Sequence, residues 1–107
     1  MDKIRLERLL ALQKMEATEA EVYRRLAVMQ SDPVNKAILE GIALEEERHE
    51  VFISGMTGRV VSPNRFQVMK QIILARIFGF TFSIMMMEST ENNIASEYRD
   101  LGLDDIA

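Results

Sequence analysis

Apolar residues recur at threes and fours along most of the chain, the spacing of one face of an α-helix. In the first stretch Ile4, Leu6, Leu9, Leu12, Met15, Val22, Leu26 and Met29 keep this period and predict a helix from about Asp2 to Met29. Ser31-Asp32-Pro33 stops it, because proline disfavours helical geometry in the residue before it and Asp32 can cap a new helix. A second helix is expected from about Val34 to Ser54, carrying Ile38, Ile42, Val51 and Phe52, with Gly55 and Gly58 ending it. Met56 to Asn64 reads as a loop, and Ser62-Pro63-Asn64 is the start signal for the third helical region. That region is expected from about Arg65 to Asp100. It is long for one helix, and Gly79 within Ile77-Phe78-Gly79-Phe80-Thr81 is its natural break or kink. This region is the most apolar and is expected to hold most of the core. The tail from Gly102 to Ala107 reads as frayed or cut short.

Composition narrows the class. A chain of 107 residues allows one domain, read here as spanning 1–107, and buries about two-thirds of its unfolded surface. Hydrophobic residues at 48% and charged residues at 28% argue against disorder. Two Pro, five Gly and eight Met, with many Leu, Ala, Glu and Arg, point to an all-α protein. A net charge of −4 makes nucleic acid an unsuitable partner, since phosphate binding needs a concentrated basic surface. The absence of Cys excludes disulfides, zinc fingers, iron–sulfur sites and thiol nucleophiles, and agrees with a cytoplasmic location. The first ten residues alternate charged and apolar types, unlike a signal peptide. Ile72 to Met87 is interrupted by Arg76 and bracketed by Lys70 and Glu88, so it reads as a buried helix rather than a membrane span.

The single His draws attention to Glu46-Glu47-Arg48-His49. Glu46 and His49 stand three residues apart on one helical face, where both can reach one metal ion. Such a Glu-x-x-His pair is the helix-borne ligand set of di-iron carboxylate bundles. The alternative is a solvated acidic face with an incidental His. In the first helix Glu16 and Glu19 are one turn apart, and Tyr23 follows Glu16 by seven residues, placing both on one stripe. That stripe lies beside Leu12, Met15, Val22 and Leu26, so at least one of these Glu faces apolar surroundings and needs a cation or a proton. The third region repeats the pattern: Met15-Glu16-Ala17-Thr18-Glu19 resembles Met87-Glu88-Ser89-Thr90-Glu91, with Tyr98 seven after Glu91. Carboxylate and imidazole donors without sulfur suit Fe(II), Mn(II) or Zn(II).

The segments Gln13-Lys14-Met15-Glu16-Ala17-Thr18-Glu19, Tyr23-Arg24-Arg25-Leu26-Ala27 and Leu44-Glu45-Glu46-Glu47-Arg48-His49-Glu50 resemble the rubrerythrin branch of the ferritin-like superfamily. The run Ala75 to Phe82 leading to Met87-Glu88 is similar to the ferritin-like domain of vacuolar-iron-transporter-type proteins. The resemblance covers nearly the whole chain and implies a four-helix bundle with a di-iron centre. It maps metal ligands onto Glu16, Glu46, His49 and Glu91, with Glu88 as the register alternative to Glu91. Glu19 becomes a migrating or supporting carboxylate, and Tyr23 and Tyr98 lie behind the ligands. The sequence departs from the family in one respect. The family's fourth helix carries a second Glu-x-x-His, whereas this chain has no second His and ends at Ala107, about one helix short.

The resemblance implies binding and oxidation of Fe(II), with O2 or peroxide as oxidant. A rubrerythrin-like peroxidase and a helical interaction module that has lost its metal site are the alternatives. It also implies a membrane iron-transporter domain or neighbour as a partner. With three helical regions and an apolar Ile72–Met87, the bundle is expected to lack its fourth helix and to be completed in a homodimer or higher even oligomer. A swap of the segment after Gly79 between chains is one route to that dimer.

Overall fold

A computed structural model of the chain describes residues 1–103. Among these residues there are four helices and no strand: α1 (Lys3–Met29), α2 (Pro33–Thr57), α3 (Arg65–Phe78) and α4 (Phe80–Asp100). The class is all-α, as composition and period predict. The tail predicted to fray lies, from residue 104 onward, outside the described residues.

The helix starts follow local chemistry. The carboxylate of Asp2 accepts from Arg5 N at 2.8 Å, and that of Asp32 accepts from Val34 N at 2.8 Å with Pro33 opening the helix. The Asn64 side chain accepts from Gln67 N at 3.2 Å. Each bond satisfies an amide that the first helical turn would leave without a partner. α2 runs three residues past the predicted Ser54, through Gly55, to Gly58 at φ +68°. The left-handed conformation needed for the cap is open to Gly58 without a Cβ penalty.

The third region is two helices, not one. Gly79, at φ +93° and ψ 168°, is the only residue between α3 and α4. Past it the chain doubles back: Met87 packs with Val68 and Ile72, and Thr90 shares a cavity wall with Gln67 and Gln71. The expectation of a missing fourth helix is therefore corrected, since four are present within one chain, α3 being about half the length of α1. A reversal made by one glycine leaves no polar loop to read in sequence. Only glycine adopts this backbone region readily, and a Cβ there would meet nothing within 4 Å. Gly79→Ala is expected to destabilise the fold by about 1–3 kcal/mol through backbone strain alone. An unchanged denaturation midpoint would contradict this reading of the turn.

α1 is the central element. Its C-terminal half packs with α2, α3 and α4 through Val22, Leu26, Leu39, Ala43, Ile72 and Met87. Its N-terminal half packs through Leu9 and Leu12 against Ile53, Ile94, Tyr98 and Leu101. Arg8 extends this contact by donating to Glu97 Oε1 at 3.1 Å, and Arg5 by donating to the Leu101 carbonyl at 3.1 Å. The expectation that the third region holds most of the core is corrected, because α1 has buried residues in both clusters while Ile73, Ile77, Phe78, Phe82 and Met85 are exposed. The hairpin has too little helix facing it to cover them. No described helix is long and apolar enough to cross a membrane.

Candidate metal centre

The two apolar clusters do not meet. On α1 they are separated by Glu16 and Glu19, on α2 by Glu46 and His49, and on α4 by Glu91. The core is thus cut across by a layer of carboxylates at one height on three helices. The helical register explains it. In α1, Leu12, Glu16, Glu19, Tyr23 and Leu26 succeed one another at threes and fours, so the Glu pair occupies core positions on the same inward stripe.

Glu16 is wholly buried at 0% exposure, and Glu19 and Glu46 are each at 5%. Glu16, Glu46 and His49 each bring one donor atom to within 4.8 Å of the others. Neighbouring donors on an ion bound at about 2.1 Å stand roughly 3.0–3.4 Å apart, so closing on a metal needs side-chain shifts of about 1–2 Å at most. In its Nδ1–H tautomer His49 donates to Glu16 Oε2 at 2.9 Å. Tyr98 stands edge-on to the His49 ring with centroids 5.9 Å apart. Its buried hydroxyl lies beside Glu16 without a hydrogen bond of good geometry. The cluster opens into a cleft of about 440 Å³ between α2 and α4, lined by Glu16, Glu46, His49, Glu91 and both tyrosines.

The two register choices on α4 are placed differently. Glu91 lines the cleft with its Oε1 buried, whereas Glu88 is exposed. Glu19 does not line the cleft; it lies within reach of the Glu91 charge, which acts with burial on its carboxyl. The Tyr23 phenol is buried next to Glu91 and Glu19, and burial together with their charge raises its pKa, as burial and Glu16 raise that of Tyr98. Both tyrosines are therefore held as neutral O–H groups.

Electrostatically the layer is costly. Burial, then the charge of Glu46, pushes Glu16 up to about 10. Burial and the Glu91 charge push Glu19 up to about 9 and Glu46 up to about 7, and burial raises Glu91 as well. Among the described residues no Lys or Arg forms an ion pair with any of the four, and His49 is the one basic partner. Each also keeps a buried oxygen with no hydrogen-bond donor: Glu16 Oε1, Glu19 Oε2, Glu46 Oε2 and Glu91 Oε1. Buried acceptors are almost always satisfied, and buried charges are paired or bind metals. Two carboxylates converging with an imidazole, each with an orphan oxygen, and Glu91 beside them in the same cleft fit a divalent cation, and the all-O/N donor set fits iron, manganese or zinc.

Gln13 was not singled out by its sequence context, yet it is wholly buried. Its Nε2 donates to Glu50 Oε1 at 3.1 Å and to the Arg59 carbonyl at 2.8 Å, and its Oε1 accepts from Thr57 Oγ1 at 2.8 Å. Asn64 N donates to Thr18 Oγ1 at 2.9 Å. These bonds tie the end of α2 and the loop after it to α1 on either side of Glu16. A lone Gln in a helical stripe carries no sequence signal for such a role.

No family model matches this chain, and searches among curated proteins and solved structures find no match either.

Proposed function

We propose that this chain is an iron-binding carboxylate protein of the ferritin-like kind that oxidises Fe(II). The observation that carries the reading is the group of orphan carboxylate oxygens convergent on His49. Glu16, Glu46 and His49 hold one ion, Glu91 joins from α4, and Glu19 supports it from behind. Two ferrous ions giving one electron each meet the two-electron demand of dioxygen or peroxide, which is the chemistry a di-iron centre supplies. The residues do the rest. Deprotonated carboxylates cancel the charge of the cations, the neutral imidazole fixes an edge of the site, and the two buried phenols offer O–H groups at its margin. The cleft between α2 and α4 gives a small oxidant a direct way in.

Rates of aerobic Fe(II) oxidation test this. Glu91→Ala is expected to lose most of the activity and Glu88→Ala little, because only Glu91 faces the cleft. A larger loss in Glu88→Ala would reverse the register, and no oxidation above the buffer rate in the wild-type protein would refute the function.

A dimer or higher even oligomer is part of the same proposal. Ile73, Ile77, Phe78, Phe82 and Met85 remain exposed on the α3–α4 hairpin, and such faces mark association surfaces. Light scattering is expected to give at least twice 12.3 kDa; a monodisperse monomer at micromolar concentration would contradict it.

A further inference from the structure

α2 leaves one side without a neighbour. Only Leu39, Ala43, Glu46 and Ile53 are buried on it, and no Cα of α2 lies within 8 Å of α3 or α4, so α1 is the one helix it packs along. A second stripe runs down the lip that α2 gives to the cleft. Val34, Ile38 and Ile42 lead to Glu45 by fours and a three, and His49 leads on to Phe52 and Met56 in the same way, the spacing of a seam between packed helices. Val34 is 66% exposed, Ile38 57% and Phe52 41%. Glu45 and His49, in the middle, line the cleft; Glu45 is exposed and among the described residues forms no ion pair. The stripe reads alike from either end. Counted from Glu47, Glu45 and His49 stand two residues away, Ile42 and Phe52 five, and Ile38 and Met56 nine. A contact between two identical surfaces requires that symmetry, because about a twofold axis residue i meets j and j meets i.

We propose that two copies of the chain pair α2 against α2, antiparallel about Glu47, so that Glu45 of each copy completes the metal site built on Glu16, Glu46 and His49 of the other. The crossing lays Ile38 on Met56 and Ile42 on Phe52, apolar on apolar, and sets each Glu45 against the His49 of the second copy. His49 spends its Nδ1–H on Glu16 Oε2, which leaves Nε2 as a bare acceptor for whatever enters the cleft. A carboxylate facing that nitrogen repels its lone pair unless a cation lies between the two. The ion is then held by groups of both chains, and the pair of chains by the ion. Two copies also bring one imidazole to each of two ions, where a single chain has only one His. The exposed apolar residues of the stripe gain cover in the same contact. The α3–α4 hairpin stays free to join such pairs into a higher even assembly. The inference rests on the metal-binding reading of the cleft.

Mn(II) is the probe, with assembly mass read by sedimentation equilibrium and bound Mn(II) counted by electron paramagnetic resonance. For the full chain, saturating Mn(II) is expected to tighten the pairing by about tenfold or more, since an ion bound by both chains stabilises the pair by mass action. Ile38→Glu places a charge at an exposed position of the stripe. It is expected to halve the assembly mass and to weaken Mn(II) binding by about tenfold or more, the loss seen when an outlying group of a metal site is removed. Glu45→Gln is expected to keep the pair but lose its tightening by Mn(II). Phe78→Glu, on the hairpin, is expected to leave the α2 pairing and its response to Mn(II) intact. Circular dichroism verifies that each variant folds. An assembly mass that Ile38→Glu leaves unchanged, or a wild-type chain that stays monomeric with Mn(II), overturns the proposal. Wild-type Mn(II) affinity in both Ile38→Glu and Glu45→Gln overturns the shared ion and leaves the cleft reading intact. No bound Mn(II) in any of these proteins refutes both.

Discussion

Metal-free Glu16→Gln protein is expected to melt at a higher temperature than the wild type, by more at pH 8 than at pH 5. Glu16 sits at 0% exposure with its pKa pushed from 4.5 up to about 10. Glu19 at about 9 and Glu46 at about 7 are raised in the same direction. In the unfolded chain these groups release their protons near pH 4.5, while the folded chain keeps them. Between those limits the native state binds more protons, so stability falls as pH rises. Their contribution is fully present below about pH 4.5 and is lost as pH climbs through 7 to 10. Gln keeps the shape and the acceptor for His49 but has no proton to lose. The expected gain at pH 8 is about 2 kcal/mol, or about 10 °C for a domain of this size. Thermal melts in chelator at the two pH values check it. A variant melting below the wild type at both, or a wild-type melting point that rises from pH 5 to pH 8, would contradict the electrostatic picture.

Residues evolved for stability alone do not look like this. Four carboxyl groups that strain the apo fold near neutral pH make sense where a cation relieves them. Metal binding takes the place of the protons, so affinity rises with pH while apo stability falls.

Much of this was legible in the sequence because it follows helical periodicity. Leu12, Glu16, Tyr23 and Leu26 lie on one stripe by arithmetic, and so do Glu46 and His49. The carboxylates thus stand at core positions in the sequence as they do in the fold. Spacing to Tyr98 also separates Glu91 from Glu88, since residues seven apart return to nearly the same face. The hairpin was not legible. A break at Gly79 reads equally as a kink or as a full reversal, and only the packing of Met87 on Val68 and Ile72 distinguishes them. The same reversal moves half of the apolar Ile72–Met87 stretch to the surface and leaves α1 as the main provider of the core. Gln13 was silent for another reason. A buried amide becomes significant only through partners that are 37 or more residues away in sequence, as Glu50 and Arg59 are for Gln13.

The central claim is that this layer of carboxylates exists to hold a metal around His49. Anaerobic calorimetric titration of Fe(II) into wild-type and His49→Ala protein near pH 7 tests it most directly. His49 supplies the only imidazole in the chain, and its loss leaves buried carboxylates whose protons compete with the ion. Wild-type protein is expected to bind with release of protons, and an Fe(II) excess of about 100-fold over the dissociation constant to stabilise the fold by about 2.7 kcal/mol. His49→Ala is expected to bind about a hundredfold more weakly or worse, at or beyond the loss seen when a group merely supporting a ligand is removed. Equal Fe(II) affinity in the two proteins, both shown to be folded, would contradict the account.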